Sequence, residues 1–233
     1  MPVGGRARHE WLPGGRTALV LRELDDGRGD LCIAGPRTRA LFKHPSGVVR
    51  AMVVSFKPGW SASLFGTAAN TLTDRIVRLD DVWGDDGAEL HRELVATSTV
   101  PEALERIASA MAGRQALESG SARLARGAAR LLEAGEVRIE HVAERLGITP
   151  RHLRRIFTEH VGIGPKEFAR TVRLQRALRM AERSRQWSRI AAAAGYYDQA
   201  HLIAEFRDLL GLTPSAFVER ERHQATHAHA RRG

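Results

Sequence analysis

An internal repeat in the second half of the chain constrains the fold more than any other feature of the sequence. Seven small, apolar and turn-forming residues recur 48 or 49 positions later, with one residue added in the turn of the second copy. The two copies are Ala143, Gly147, Leu153, Phe157, Gly162, Pro165 and Phe168, then Ala191, Gly195, Leu202, Phe206, Gly211, Pro214 and Phe217. A repeat of this length indicates two copies of one supersecondary unit, here called the first lobe and the second lobe.

Each repeated residue type suits a helix, a tight turn and a second helix. A small residue such as Ala143 lets two helices cross closely, and a glycine such as Gly147 ends a helix in the left-handed conformation. Thr149 and Asp198 are predicted N-caps of the helices that follow. The Leu and Phe spaced by four residues give each of these helices one apolar edge. This is the pattern of a helix-turn-helix unit, present twice.

The positive charge of the chain is confined to the half that holds the repeat. The net charge is +9; residues 1–120 contain 15 basic and 15 acidic residues, and residues 121–233 contain 21 and 12. This asymmetry is expected when only one domain faces a polyanion. A GC-rich coding bias explains why Arg outnumbers Lys, but it does not explain a one-sided charge.

Three segments in this half carry a resemblance to a known family. VAERLGITPRHLRRIF, VGIGPKEFARTVRLQRAL and IAAAAGYYDQAHLIAEFRDLLGLTPSAF together resemble the DNA-binding domain of the AraC/XylS family, over about 100 residues. The resemblance implies two helix-turn-helix lobes that enter successive major-groove segments on one face of DNA. They would be joined by one helix at about 165–183, roughly 28 Å long, close to the ~34 Å between adjacent groove faces. One chain could then read two segments without dimerising.

The resemblance also implies which side chains contact bases in the first lobe. Family base contacts map onto Arg151, Arg154 and Arg155, and a helical wheel places these on the polar edge of the helix at 150–160. An arginine here can bind guanine O6 and N7 with two hydrogen bonds. The alternative is an arginine-rich face that meets only phosphate or solvent.

The second recognition helix, from Gln199 to about Leu210, differs from the family pattern. It has Ala204 where the family usually has Arg, and Glu205 and Asp208 are expected on its outward face, where carboxylates disfavour phosphate. We therefore expect the first lobe to dominate base readout and the second lobe mainly to anchor on the DNA backbone. The expected DNA-contacting residues are Thr149, Arg151, His152, Arg154, Arg155, Gln199, His201 and Arg207.

The first half is predicted to be a small β-rich domain. Segments 16–24, 31–42 and 48–56 are typical of strands, and 60–66, 86–97 and 101–112 are typical of helices. LPGGRTALVL, AGPRTRA, VSFKPG and LTDRIVRLDDVWG resemble N-terminal domains of short AraC-type regulators, which implies a sensing or dimerisation role. The expected fold class is α+β with two domains. Residues 1–115 form the β-rich domain, 122–222 the all-α double helix-turn-helix domain and 223–233 a flexible tail.

The sequence shows no pattern of a catalytic, metal or cofactor site, so we expect neither an enzyme nor a bound cofactor. There is no P-loop and no Gly-x-Ser-x-Gly, and the acidic cluster between Asp80 and Glu89 lacks the ligand spacing of a calcium loop. The single cysteine, Cys32, excludes an intramolecular disulfide and is expected to pack in the core. Tryptophans of the first half are candidates either for the core or for a ligand pocket; they are Trp11, Trp60 and Trp83.

The expected function is that of a sequence-specific DNA-binding transcription regulator. The alternative is a weakly specific architectural DNA-binding protein that responds to no effector. Double-stranded DNA is the expected partner, with RNA polymerase and a small-molecule effector as further candidates, and the chain is expected to act as a monomer or a homodimer. It has no apolar run of about 20 residues and no secretory leader, so the expected location is the cytoplasm.

Overall fold

The computed structural model describes residues 9–43, 47–114, 119–136 and 138–229. An antiparallel sheet with covering helices occupies the first half and an all-helical region the second half, which confirms the predicted fold class. Residues 1–8 of the predicted first domain and 230–233 of the predicted tail lie outside these ranges.

The described strands of the first half pair in an antiparallel manner. The strands are β1 (His9–Trp11), β2 (Thr17–Leu24), β3 (Gly29–Ala34), β4 (Leu41–Lys43), β5 (Val48–Phe56) and β6 (Ile76–Arg78). Four of them form one antiparallel sheet in the order β5-β2-β3-β6, and β1 pairs with β4 separately. The strand predicted at 31–42 is divided in two, because Pro36 cannot donate to a strand ladder and Gly35 lies against the backbone of Leu72.

The two faces of this sheet have different neighbours. Leu19 and Ile33 belong to the main core of the first half, which is covered by four helices. These are α1 (Ser61–Phe65), α2 (Asp80–Trp83), α3 (Asp85–Ala96) and α4 (Val100–Ala112). Cys32 points to the opposite face and is buried, as predicted, and burial raises the pKa of its thiol to about 11. The thiol therefore stays protonated at neutral pH and acts as a packing group.

The second half contains the two predicted lobes. Its helices are α5 (Gly120–Ala134), α6 (Ile139–Arg145), α7 (Pro150–Val161), α8 (Pro165–Ala181), α9 (Trp187–Ala194), α10 (Gln199–Leu210) and α11 (Pro214–His229). The repeated Ala, Leu and Phe residues are buried in two separate cores, one in each lobe. Helix α8 joins the lobes; its 17 residues span about 26 Å. The last helix continues to His229, so most of the predicted tail is helical.

The first half packs against both lobes. Thr73 donates a hydrogen bond from Oγ1 to the Gly162 carbonyl at 2.6 Å, at the end of α7. In the second lobe, the Ala40 amide donates to the Leu209 carbonyl at 2.8 Å. The sheet-bearing half therefore contacts the ends of both α7 and α10. These contacts join segments far apart in the sequence, so no local pattern predicts them.

Candidate nucleic-acid interface

Helix α7 has the ends that the sequence predicts. Thr149 accepts a hydrogen bond at Oγ1 from the His152 amide at 3.2 Å, and Pro150 occupies the first helical position. Gly162 ends the helix in the left-handed conformation, with φ of 90°. These caps satisfy backbone groups that a helix leaves unpaired at its ends, so the start and end of α7 are well defined.

The two edges of α7 divide as a recognition helix requires. Leu153, Ile156 and Phe157 are fully buried in the helix's inner edge, and the Phe157 ring packs edge-on against that of Phe168 with centroids 5.4 Å apart. On the opposite edge the three predicted contact residues are exposed; they are Arg151, Arg154 and Arg155. The apolar edge holds the helix in place while the basic edge is open to a ligand.

The arginines of α7 make only weak contacts within the protein. Arg155 lies 3.5 Å from Glu159, and Arg154 lies 3.8 Å from Glu140, all on exposed side chains. Within the described ranges, Arg151 has no carboxylate within 4 Å. Exposed ion pairs contribute little because water screens them, so DNA phosphates or bases can replace them at small cost. Base contact by these residues remains a prediction.

A cleft beside α7 adds basic residues that the sequence analysis missed. Arg138 and Lys166 line it together with Arg154 and Thr158, and its volume is about 590 Å³. Glu140 is the one acidic residue among those that line it. Arg138 comes just before α6, and Lys166 lies in the first turn of α8. Their position at a helix start is the sequence signal that could have identified them.

Helix α10 of the second lobe is also capped as predicted. Asp198 accepts a hydrogen bond at Oδ1 from the His201 amide at 2.7 Å. Gln199, His201 and Arg207 are exposed along this helix, as they must be to contact DNA. Just before its cap, Tyr197 has 93% of its surface exposed, which is unusual for a large aromatic residue.

The prediction that Glu205 lies on the outward face of α10 was wrong. Its side chain is only 8% exposed, and it accepts hydrogen bonds at Oε1 from Arg170 at 2.7 Å and Arg173 at 3.4 Å. Both arginines are on α8, more than 30 residues earlier in the chain. A helical wheel of α10 alone shows nothing of the helix packed against it, so it cannot place this residue.

Asp208 is also engaged by arginines rather than presented alone to DNA. It lies 2.7 Å from Arg170 and 3.1 Å from Arg39, a residue of the first half. The hydrogen bond from Arg170 is the main reason why the pKa of Asp208 is lowered. Neither acid of α10 is an unpaired charge facing phosphate, so the expectation of a weak second lobe now depends on Ala204 alone.

Burial of His160 on α7 predicts a pH-dependent stability. Burial is the main cause of the lowered pKa of its imidazole, and the nearby charge of Glu159 opposes this while Arg126 and Arg155 add to it. The folded state therefore favours the neutral ring. This contribution to stability is complete above the unfolded-state pKa of about 6.5 and is lost as the pH falls through the lower folded-state pKa.

Urea unfolding at a series of pH values tests this expectation. We expect the wild-type free energy of unfolding to fall more steeply from pH 7 to pH 5 than that of His160→Gln. His141 provides the control, since it is a histidine on the exposed surface and not in the core. His141→Gln should keep the wild-type slope. Parallel slopes for wild type and His160→Gln would contradict the assignment.

Two negative findings apply to the residues described above. No helix among them is both long and apolar enough to cross a membrane. No group of three or more His, Cys, Asp or Glu side chains among them is arranged to hold a metal ion.

Comparisons with known proteins agree with the geometry of the second half. The helix-turn-helix domain family matches residues 142–220. The HTH-type transcriptional regulator GlxA of Rhizobium meliloti is 35% identical over 97 residues, which cover 39% of this chain and 30% of that protein. An uncharacterized HTH-type transcriptional regulator of Haemophilus influenzae is 35% identical over 80 residues, 34% of this chain and 27% of that protein. The chain thus spans less than a third of the length of these relatives.

Among solved structures, ToxT of Vibrio cholerae aligns with 91% of this chain and 94% of its own. The identity is 11% and the TM-score is 0.48, so the likeness is too distant to carry an argument about function. The sequence match and the paired, capped helices of the two lobes are independent of it. Residues 142–220 of this chain are similar to the helix-turn-helix domain family, and the two lobes with their capped helices agree with that similarity.

Proposed function

We propose that this chain is a sequence-specific DNA-binding transcription regulator. The observation that carries the proposal is the division of α7, whose apolar edge is fully buried while Arg151, Arg154 and Arg155 are exposed together. The confinement of the net positive charge to the same half of the chain supports it, because attraction to phosphate supplies much of the affinity for DNA.

The two lobes have different roles in this proposal. The first lobe reads bases through the arginines of α7, with Thr149 and His152 near the helix start and Arg138 and Lys166 on adjacent phosphates. The second lobe anchors mainly on the backbone through Gln199, His201 and Arg207. The support for this ranking is the small side chain of Ala204, which is exposed on α10 and cannot form a hydrogen bond to a base.

A binding selection on random duplex DNA at physiological salt tests the proposal. We expect enriched sequences with one strongly preferred segment and a second, weaker segment about one helical turn away. The proposal fails if the purified protein binds no selected site more tightly than bulk competitor DNA. Equal sequence preference at both segments would contradict the ranking of the lobes.

Substitution of Arg155 provides a residue-level prediction. Arg155→Ala is expected to relax the preference at one or two base pairs of the first segment and to reduce discrimination there by about 1–3 kcal/mol, the usual value of a two-hydrogen-bond contact to guanine. Ala204→Ser should change the preference little. The measurement is competition binding against single-base variants of the selected site.

A charge control separates base readout from general attraction to DNA. Arg106 is exposed on α4 in the first half, and Arg106→Ala removes one positive charge away from the lobes. This variant should keep the base preference of the wild type. If Arg155→Ala weakened binding to all sequences equally, Arg155 would be a phosphate contact and not a base contact.

The second candidate function is a weakly specific architectural DNA-binding protein. The cleft beside α7, which Arg138, Arg154 and Lys166 line, favours contacts with the DNA backbone and is compatible with this second function. The salt dependence distinguishes the two, since backbone binding alone gives a steep loss of affinity with salt and almost no preference between sequences.

Regulation through the first half is part of the proposal. The contacts from Thr73 to the end of α7 and from Ala40 to the end of α10 provide a physical connection through which an effector could act. A regulator of this kind works where DNA is transcribed, so RNA polymerase is an expected partner and the cytoplasm the expected location.

A further inference from the structure

A cavity of about 320 Å³ lies between the sheet of the first half and the joining helix α8. It is on the face of the sheet opposite the main core, beside a small cluster formed by Ala18, Val20, Ala34 and Trp11. The volume is at the lower end of the range for small-molecule sites. We call this space the sheet cavity.

A row of small residues accounts for the sheet cavity. Ala18 on β2 lies directly opposite Ala34 on β3 and directly opposite Ser55 on β5. Residues paired in this way have side chains on the same face of a sheet. Three adjacent strands thus present a methyl, a methyl and a hydroxymethyl group at one level, where larger side chains would fill the space.

The walls of the sheet cavity combine apolar surface with two arginines. Trp11 and Val53 are among the apolar side chains that line it, and Arg16 and Arg37 are the only charged residues that do. No Asp or Glu is among the lining residues. A guanidinium group favours an anion, and its planar fork matches a carboxylate with two parallel hydrogen bonds.

The two arginines differ in how firmly they are held. Arg37 has a side chain only 14% exposed, donates from Nε to the Arg39 carbonyl at 3.2 Å and has Asp74 at 3.8 Å. Arg16 is exposed, and the described part of the chain gives it no carboxylate partner within 4 Å. Arg37 is therefore a fixed positive group, while Arg16 is available to close on a ligand.

We propose that the sheet cavity binds a small carboxylic acid with an apolar body. The carboxylate lies between Arg16 and Arg37, and the body packs against Trp11 and Val53 over the small residues at Ala18. The apolar walls and the limited volume favour this class over a sugar, which needs many polar partners, and over a bare inorganic anion, which would leave the walls uncovered.

The position of the sheet cavity also connects it to the DNA-binding half. Gln175 on α8 lines the cavity and donates from Nε2 to the Pro13 carbonyl at 3.1 Å. The next residue, Gly14, exchanges two backbone hydrogen bonds with Arg37. A ligand on Arg37 thus contacts a segment tied directly to the helix that spaces the lobes. This consequence, a change in DNA affinity, rests on the proposed function.

Calorimetry on the full chain tests binding directly. The probes are carboxylates with phenyl, cyclohexyl and isobutyl bodies, such as 3-phenylpropionate, each paired with its neutral amide and compared with inorganic phosphate. We expect at least one carboxylate to bind at least 10-fold more tightly than its amide and than phosphate. Absence of binding by every carboxylate at millimolar concentration, or equal binding of acid and amide, overturns the proposal.

Variants locate the site within the chain. Arg16→Gln should weaken carboxylate binding at least 10-fold, and Ala18→Leu should abolish it by filling the cavity. Arg28→Gln, which removes an exposed arginine of the β2–β3 turn, should leave binding unchanged. If Ala18→Leu, checked for a wild-type unfolding transition, still binds the probe, the ligand lies elsewhere.

DNA binding is measured separately so that the two proposals can fail separately. If the protein selects a DNA site but binds no carboxylate, only the proposal for the sheet cavity is overturned. If it binds a carboxylate but shows no preference between DNA sequences, only the proposed function is overturned. With both present, the ligand should shift the affinity for the selected site, and Gln175→Ala should reduce that shift while retaining ligand binding. An unchanged DNA affinity with the cavity saturated overturns the connection.

Discussion

Glu205→Ala is expected to lower the free energy of unfolding by about 3 kcal/mol, the lower end of the cost of removing one partner from a buried ion pair. The carboxylate is nearly buried between α10 and α8 and accepts from Arg170 and Arg173. Its removal leaves the partly buried Arg173 without this partner and leaves Arg170 with Asp208 alone. The lower end applies because the side chains of Arg170 and Arg173 are still 34% and 22% exposed to solvent.

Urea unfolding followed by circular dichroism measures this loss, and Asp208 supplies the matched control. Asp208 is on the same helix, contacts the same Arg170 and is 42% exposed. Asp208→Ala should therefore cost no more than about 1 kcal/mol, as exposed ion pairs do. If Glu205→Ala lowers the free energy of unfolding no more than Asp208→Ala does, the buried carboxylate does not stabilise the second lobe more than an exposed one.

The same variant separates the two lobes on DNA. Because Glu205 joins α10 to Arg170 and Arg173 of α8, Glu205→Ala should reduce footprint protection at the second segment and leave the first segment protected. Glu205→Gln keeps the shape and some hydrogen bonding, so it should fall between wild type and Glu205→Ala. Equal loss of protection at both segments would indicate that the residue supports the whole domain and not the second recognition helix.

Gly162→Ala is expected to destabilise the protein by about 2–5 kcal/mol, the combined cost of a left-handed side-chain-bearing residue and of overpacking. Gly162 has φ of 90°, and a left-handed conformation costs a side-chain-bearing residue roughly 1–2 kcal/mol. An added Cβ would also lie 2.6 Å from Pro36 and 3.0 Å from the Ala69 carbonyl oxygen. These are backbone or ring atoms of the first half that cannot move aside cheaply, so the contact between the halves must open.

Gly211 is a control that the repeat itself provides. It ends α10 as Gly162 ends α7, with φ of 69°, but a Cβ there would meet nothing within 4 Å. Gly211→Ala should therefore show only the left-handed cost of about 1–2 kcal/mol. The difference between the two variants measures the domain contact, and hydrogen exchange near Thr73 should rise only in Gly162→Ala. Equal destabilisation of both variants would mean that the contact contributes nothing.

Much of the second half follows from residues close together along the chain. The caps at Thr149 and Asp198, the left-handed glycines and the buried Leu and Phe edges are all predicted from the sequence and all present. A helix start depends on three or four neighbouring residues, and an apolar edge depends on a period of 3.6, so both can be recognised without knowing what packs against the helix.

The predictions that were wrong concern residues whose contacts come from distant segments of the chain. Glu205 was placed on the wrong side of α10 because its partners, Arg170 and Arg173, come from another helix. The strand expected at 31–42 is divided at Gly35, whose close contact is with Leu72 on a separate segment. Local patterns contain no information about which distant segment lies alongside a residue.

The sequence by itself determined that the chain contains two helix-turn-helix units, where α7 and α10 start and end, and which edge of α7 carries Arg151, Arg154 and Arg155. Only the tertiary structure decided that the first half contacts the ends of α7 and α10, that Glu205 is buried, and that Arg16, Arg37 and Gln175 line one cavity. The physical reason is distance along the chain: helix caps and amphipathic edges arise between near neighbours, whereas buried charges and cavities arise between segments that only folding brings together.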